Sequence, residues 1–338
     1  MAARLNLHRV MGFPRRGVSI VLLAASLAVA QPAHADSHLS VLSYNLHGLS
    51  PFIAKDNPRT RIAAIGALAK TYDVALFQED FEYHGVIRRQ MTGSVGVCGN
   101  GSTFDVRRLA AKILFAPVTL FLPRFSAPYG AGLSTFVKPA LAQQDDVGRE
   151  PYGVCDGWLG AHFDCWASKG YLRVGIRTAE GVIIDVYSTH LDAGRGVRSV
   201  RTRRGQLRML AKAIEQQSEG RAVIVGGDFN IASDRPGDGE VMVEFRERLG
   251  LRDSGAGPQL ASWRNRDYIL YRSGVQAQLS IEQAGEALEF VRAGRALSDH
   301  PAVYAHFRVQ ALTGATDREL EECRAFERMP RTAATLLP

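Results

Sequence analysis

From residue 36 onward, short β-type runs alternate with amphipathic helical stretches, and that alternation confines the chain to an α/β architecture. Leu39 to Asn45 reads as a strand. Arg59 to Lys70 reads as a helix, with Asn57 placed to cap it, Pro58 at its first position, and Ile62, Ile65, Leu68 and Ala69 on one face. Asp73 to Gln78 is a near-continuous apolar strand. Tyr171 to Arg177 and Val182 to Thr189 read as two strands joined by a turn at Ala179, Glu180 and Gly181. Ser199 to Gln217 is helical, with Leu207, Leu210 and Ile214 in register, and Arg221 to Val225 returns as a buried strand. Met242, Phe245 and Leu249 mark a further helix stopped by Gly250. Tyr268 to Tyr271 and Ala302 to Val309 complete the legible strands. Thr316 and Glu319 have capping-box spacing for a terminal helix. No internal repeat or linker interrupts this pattern. It predicts one domain over 36–310, with sheets packed between helices, and a helical extension over 311–338.

Residues 1–35 differ in kind. A basic stretch ends in Arg15 and Arg16, an apolar run of 13 residues follows from Val18 to Ala30, and Ala33-His34-Ala35 offers a small-residue cleavage site before Asp36. The run is too short to span a bilayer, so it reads as a cleavable export signal rather than an anchor. A periplasmic or secreted protein without a transmembrane anchor is the expectation, and no obligate protein partner is evident. The formal charge of +7 includes Arg4, Arg9, Arg15 and Arg16 of this leader, which leaves the rest only mildly basic. That balance does not require a nucleic-acid partner. With 46% hydrophobic and 22% charged residues, the chain is neither disordered nor a multi-pass membrane protein.

Export makes the four cysteines candidates for disulfides. Cys155 and Cys165 flank a short loop rich in Gly, Asp and His and form the favoured pair; Cys98 with Cys323 is the second pairing. No cysteine or histidine spacing of zinc type is present. Ile113 to Phe125 holds Leu, Phe, Val and Pro without a clean period, and reads either as an irregular packed loop or as an apolar patch that meets lipid.

Polar residues gather at the carboxyl ends of the predicted strands, where open α/β sheets place their sites. Asn45 closes Ser43-Tyr44-Asn45, Glu79 follows Leu76-Phe77-Gln78, and His190 follows Tyr187-Ser188-Thr189. Asp228 and Asn230 follow Val223 to Gly227, and Ser298-Asp299-His300 precedes the last strand. Asp267 begins its own run. Singly, each has a bland structural role as a turn residue, a helix-start acid or a buried imidazole. Together, hard oxygen donors and two imidazoles make the set that a metal-assisted hydrolase needs, with Mg²⁺ held through one or two carboxylates.

The ordered set Tyr44-Asn45, Gln78-Glu79, Thr189-His190, Gly227-Asp228-Phe229-Asn230, Asp267-Tyr268-Ile269 and Ser298-Asp299-His300 resembles the endonuclease/exonuclease/phosphatase superfamily, over about residues 39–309. The resemblance implies a DNase I-like fold, a four-layer α/β sandwich of two packed mixed sheets flanked by helices. It also implies hydrolysis of phosphate esters with a divalent metal, Mg²⁺ or another such as Mn²⁺. Carried over position by position, it makes Glu79 the main metal ligand, with Asn45 beside it and Asp299 as a further carboxylate. His300, oriented by Asp267, activates or positions the attacking water, and Asp228 lies close to the same water. The base is left open between Asp228 and His300. Asn230 and His190 become donors to the phosphoryl oxygens, in an in-line displacement that needs the two histidines in opposite protonation states.

Substrates divide this superfamily. Ala167 to Val174, with Lys169 and Gly170, resembles the Lys-Gly element of sphingomyelinase-type members, which points to a phospholipid such as sphingomyelin and to peripheral contact with a membrane surface. Arg195, Arg198, Arg201, Arg203, Arg204 and Arg208 form a cluster after His190. It suits a nucleic-acid backbone, an anionic membrane or simply the solvated face of a helix, with Arg201 and Arg204 as the candidate substrate contacts. The readings are therefore a secreted phospholipid phosphodiesterase, an extracellular DNase I-like nuclease, and a catalytically inactive binding module on the same fold.

Overall fold

The computed structural model describes residues 36–98, 129–157, 164–232, 235–255, 266–292 and 294–312. The strands are β1 (Ser37–Asn45), β2 (Val74–Gln78), β3 (Val95–Cys98), β4 (Ser134–Val137), β5 (Ala142–Pro151), β6 (Gly170–Arg177), β7 (Ile183–His190), β8 (Ala222–Asp228), β9 (Arg252–Asp253), β10 (Asp267–Arg272), β11 (Ala277–Glu286), β12 (Val291–Arg292), β13 (Arg295–Ala296) and β14 (Val303–Ala311). The helices are α1 (Pro51–Ala54), α2 (Pro58–Ala69), α3 (His84–Gln90), α4 (Val197–Gln217) and α5 (Asp238–Leu249).

Two mixed sheets result. One runs β11-β14-β1-β2-β4-β3 and the other β5-β6-β7-β8-β10-β9, while β12 and β13 form a small hairpin. The pairs β1/β2 and β7/β8 are parallel; the other neighbours are antiparallel. Because side chains alternate along a strand, each central strand sends neighbours to opposite faces. Val41, Leu76, Ile184, Ile224 and Ile269 point between the sheets and form the inner core. Leu42, Tyr44 and Phe77 point outward to meet Ile62, Ile65 and Ile87 of α2 and α3. On the other side, Tyr187 and Val225 meet Leu207, Leu210 and Ile214 of α4 and Phe245 of α5. The expected four-layer sandwich is present. Burial on both faces explains why these strands read as near-continuous apolar runs. Gly226 permits the sheets to approach closely, since a Cβ there would stand 2.6 Å from Leu76.

Local signals act as their chemistry predicts. The Asn57 side chain accepts the Thr60 N–H at 3.2 Å to cap α2, and Gly250 adopts φ 65° to end α5. Cys155 and Cys165 are joined by a disulfide with Cα atoms 5.3 Å apart. Cys98 has a free thiol, and Cys323 lies outside the described residues, as do the leader, Ile113 to Phe125 and the Thr316 capping box. No described helix is long and apolar enough to cross a membrane.

Candidate active site

Strand register assembles the site. Parallel pairing of β7 with β8 sets His190 opposite Asp228, and antiparallel pairing of β8 with β10 sets Asp267 opposite the same residue. This is why Asp267, at the start of its strand, joins residues that end theirs. In the other sheet, β1 and β2 run parallel, with Asn45 opposite Gln78, so Glu79 leaves β2 beside Asn45. The β14 strand is antiparallel to β1, and Ser298 donates its hydroxyl to the Asn45 carbonyl at 2.7 Å, which brings His300 to the same end. At Gly227 a side chain would collide with the Thr189 carbonyl, so only glycine lets the two parallel strands deliver His190 and Asp228 together.

Asn45 joins the two sheets chemically. Its amide nitrogen donates to Glu79 Oε1 and to Asp228 Oδ2, each at 3.1 Å, while its oxygen accepts the His47 N–H at 2.9 Å. Asp228 Oδ2 also lies 3.4 Å from His190 Nε2 and 3.7 Å from His300 Nε2. His300 Nδ1 and Asp267 Oδ2 are 2.8 Å apart. The side-chain amide of Asn230 donates to the Leu191 carbonyl at 2.9 Å, and its backbone N–H donates to Asp228 Oδ1. Glu79 and Asn230 both adopt left-handed backbone, at φ 53° and 51°. Such strain in residues without glycine's freedom is typical of functional sites.

Protonation follows from these contacts. Burial opposes a proton on His300, but the carboxylates Asp228 and Asp267 outweigh it and raise its pKa. His190 goes the other way: burial, aided by the Lys169 charge, pushes it down to about 4. Burial also opposes ionisation of Glu79, yet hydrogen bonds from His47 and Asn45 hold its pKa below the usual carboxylate range. Thus one imidazole is held charged and the other neutral, the opposition that two different jobs require.

His47 was not legible as a site residue. It stands 3.7 Å from Glu79 and 3.4 Å from the half-exposed Asp299, and Arg61 secures its loop by donating to the Leu46 and His47 carbonyls. Its position two residues beyond Asn45, at the same strand end, is the signal that could have found it.

The expected substrate contacts fare differently. Lys169 is buried, and its ammonium is consumed by Asp164 at 2.7 Å and the Leu191 carbonyl at 2.9 Å. It therefore braces the segment after His190, while its charge acts on His190, Glu79 and Asp228 of the site. Arg204 pairs with Glu240 and Glu244 of α5, Arg208 with Glu244, Arg198 with Asp156, and the fully buried Arg203 with Asp238. Most of the arginine run is spent on intramolecular pairs, so Arg204 is a helix-packing residue. Arg201 remains exposed on α4.

Among the described residues, one group of three donors is compact enough to hold a divalent ion. Donor atoms of Asp228, Asp267 and His300 all lie within 4.8 Å of one another. On the other side of Asn45, His47 stands between Glu79 at 3.7 Å and Asp299 at 3.4 Å. Asp267 Oδ1 and His190 Nδ1 are buried with no hydrogen-bond partner among the described residues. Buried carboxylates need pairing or a cation, and this oxygen-rich set suits a hard divalent ion. The compact group differs from the expected set of Asn45, Glu79 and Asp299, because the antiparallel β10 supplies Asp267 as a third buried donor.

The sequence model of the endonuclease/exonuclease/phosphatase family matches residues 42–300. The chain belongs to this family. Its members are hydrolases that act on phosphate esters. The chain is also 30% identical over 284 residues to a sphingomyelinase from Mycobacterium tuberculosis, a match covering 78% of this chain and 51% of that protein. It thus spans about half the length of that curated relative. Among solved structures, it resembles an endonuclease/exonuclease/phosphatase from Bacteroides vulgatus with a TM-score of 0.57 and 14% identity, over 81% of this chain and 100% of the other. Sphingomyelinase C from Streptomyces griseocarneus aligns with a TM-score of 0.50 and 17% identity, over 80% and 99% of the two chains. These structural likenesses show the DNase I-like sandwich.

Proposed function

We propose that this family member is an exported, divalent-metal-dependent phosphodiesterase that cleaves a phospholipid of the sphingomyelin type and releases its phosphorylated head group. The observation that carries the reading is the convergence of His190, Asp228, Asp267 and His300 on one buried point beside Glu79 and Asn45. The 30% identity to a sphingomyelinase supports the substrate class. The leader-like residues 1–35 support export.

The chain's residues divide the work. Asp228 and His300, 3.7 Å apart, exchange a proton as a pair, so the proton released by the attacking water enters this pair and leaves with the departing oxygen. Asp267 fixes the His300 ring through Nδ1, so that Nε2 faces Asp228. His190, kept neutral by burial, offers hydrogen bonding without charge to the phosphoryl group. Asn45 keeps the two carboxylates apart and oriented. A divalent ion, Mg²⁺ or Mn²⁺, held by Glu79 with Asn45 and Asp299, would supply Lewis-acid charge for the phosphoryl oxygens.

The test offers residues 36–338 equal challenges of sphingomyelin liposomes and plasmid DNA, with Mg²⁺ or with chelator. Metal-dependent phosphocholine release from liposomes, with intact plasmid, is expected. Nicked plasmid with untouched liposomes would replace the lipid reading by a nuclease. No turnover of either would leave the lipid reading without its substrate and overturn it.

A further inference from the structure

Away from the phosphodiester cluster, three elements of the first sheet converge on a single sulfur. Cys98 ends β3 opposite Ser134 of β4 and carries a free thiol. Its Sγ lies 3.0 Å from Nε2 of His84, at the start of α3. His84 Nδ1 lies 2.6 Å from Asp80 Oδ2, and that oxygen also accepts the Ser134 hydroxyl at 2.7 Å. Asp80 is fully buried, and its other oxygen has no partner among the described residues. Phe136 stacks against the His84 ring with centroids 6.3 Å apart. A thiol, an imidazole in reach of it and a buried carboxylate that fixes the imidazole constitute the arrangement of an activated nucleophile.

The sulfur is also reachable. Cys98 is partly exposed and borders a cavity of about 320 Å³ that Arg88, Thr92, Ser94 and Phe136 line with His84. That volume is at the small end of the range for small-molecule clefts, roughly 300–1,000 Å³. Among the described residues, His84 of α3 meets the thiol with Asp80 behind it, Arg88 of α3 lines the same cavity, and Arg149 of β5 donates to the Cys98 carbonyl at 2.8 Å.

The geometry points to Cys98 as a second reactive site of this protein, a nucleophilic thiolate that is reversibly thiolated by small anionic disulfides entering the Arg88-lined cavity. In the reaction, the Cys98 thiolate attacks one sulfur of the disulfide, the S–S bond breaks, and a mixed disulfide forms at Cys98. The departing thiolate takes the proton held on His84, so a neutral thiol is released and no other oxidant is needed. The hydrogen bonds of Asp80 and Cys98 raise the His84 pKa to about 10 against the effect of burial, consistent with a ring that stays protonated above neutral pH.

The test incubates the purified full chain with oxidised glutathione, which is anionic, or with cystamine, which is cationic, between pH 6 and pH 8. Adducts at Cys98 are followed by intact mass and peptide mapping. The expected outcome with oxidised glutathione is a mixed disulfide at Cys98. His84→Gln is expected to slow the reaction more than about tenfold. Arg88→Gln is expected to slow the glutathione reaction while sparing cystamine. If circular dichroism shows that His84→Gln does not fold, the Arg88→Gln comparison of the two disulfides decides. An unchanged rate in a folded His84→Gln, equal slowing of both disulfides by Arg88→Gln, absence of a Cys98 adduct, or peptide mapping that finds Cys98 already bonded to Cys323 would each overturn the proposal.

Discussion

Replacing Asp267 with Asn removes one negative charge from the site while leaving a hydrogen-bond acceptor of the same shape. Asp267 is fully buried, and its Oδ2 lies 2.8 Å from His300 Nδ1. A charge-assisted hydrogen bond of this kind contributes about 1.5–3 kcal/mol. One pKa unit corresponds to about 1.36 kcal/mol, so the His300 pKa should fall by about one to two units in the variant. The direction follows from the sign of the coupling, since Asp267 favours the charged imidazole. In the native protein this raised pKa stabilises the fold fully below the unfolded histidine value, and the contribution is lost as pH rises through the folded value. Asp267→Asn should therefore lose stability at pH 6, and the deficit should shrink toward alkaline pH, the more so because burial raises the pKa of Asp267 itself to about 6 and the variant no longer buries that charge. The assay is an NMR titration of the histidine ring protons with chelator present, together with urea unfolding at both pH values. An unchanged His300 pKa, or a stability loss that is independent of pH, would refute the reasoning.

Other perturbations test the scaffold beneath the site. Arg203→Met strands the buried Asp238, which Arg203 meets at 2.6 Å, and should cost about 3–5 kcal/mol in urea unfolding. Adding Asp238→Leu should recover most of that loss. Opening the Cys155–Cys165 bridge by Cys155→Ser with Cys165→Ser frees a loop with a sequence separation of 10 and should cost about 2–3 kcal/mol. Because Asp164 beside this bridge holds Lys169, the same variant should also lower turnover; unchanged turnover would uncouple the bridge from the site.

The sequence made the buried centre of the fold legible and left its periphery obscure. Central strands such as β2 and β8 are covered on both faces, so Val74 to Phe77 and Ala222 to Val225 are uniformly apolar. Of the unrecognised strands, β3, β5 and β11 are sheet edges, where polar residues such as Gln143 and Glu282 are tolerated, whereas β4 is interior and buried and escaped because it is only four residues long. The α3 helix escaped because seven residues that include Gly85 carry too little periodicity. At the site, residues ending the parallel strands were readable because strand direction alone places them together. Asp267 depended on an antiparallel partner, and only the family pattern placed it. His47 was missed because its role comes from a left-handed turn at φ 45°, which no side-chain pattern announces. The sequence could not show that Lys169 and Arg204 are spent internally, because their acidic partners Asp164 and Glu244 are matched only by folding.

The most direct test of the phosphodiesterase site measures Mg²⁺-dependent phosphocholine release by the parent chain, Glu79→Gln and His300→Ala, with circular dichroism as the control for folding. The account predicts that both variants fold and that each loses activity by more than about two orders of magnitude, a loss within the usual range for an acid–base or electrostatic catalytic group. Full activity in both folded variants would contradict it.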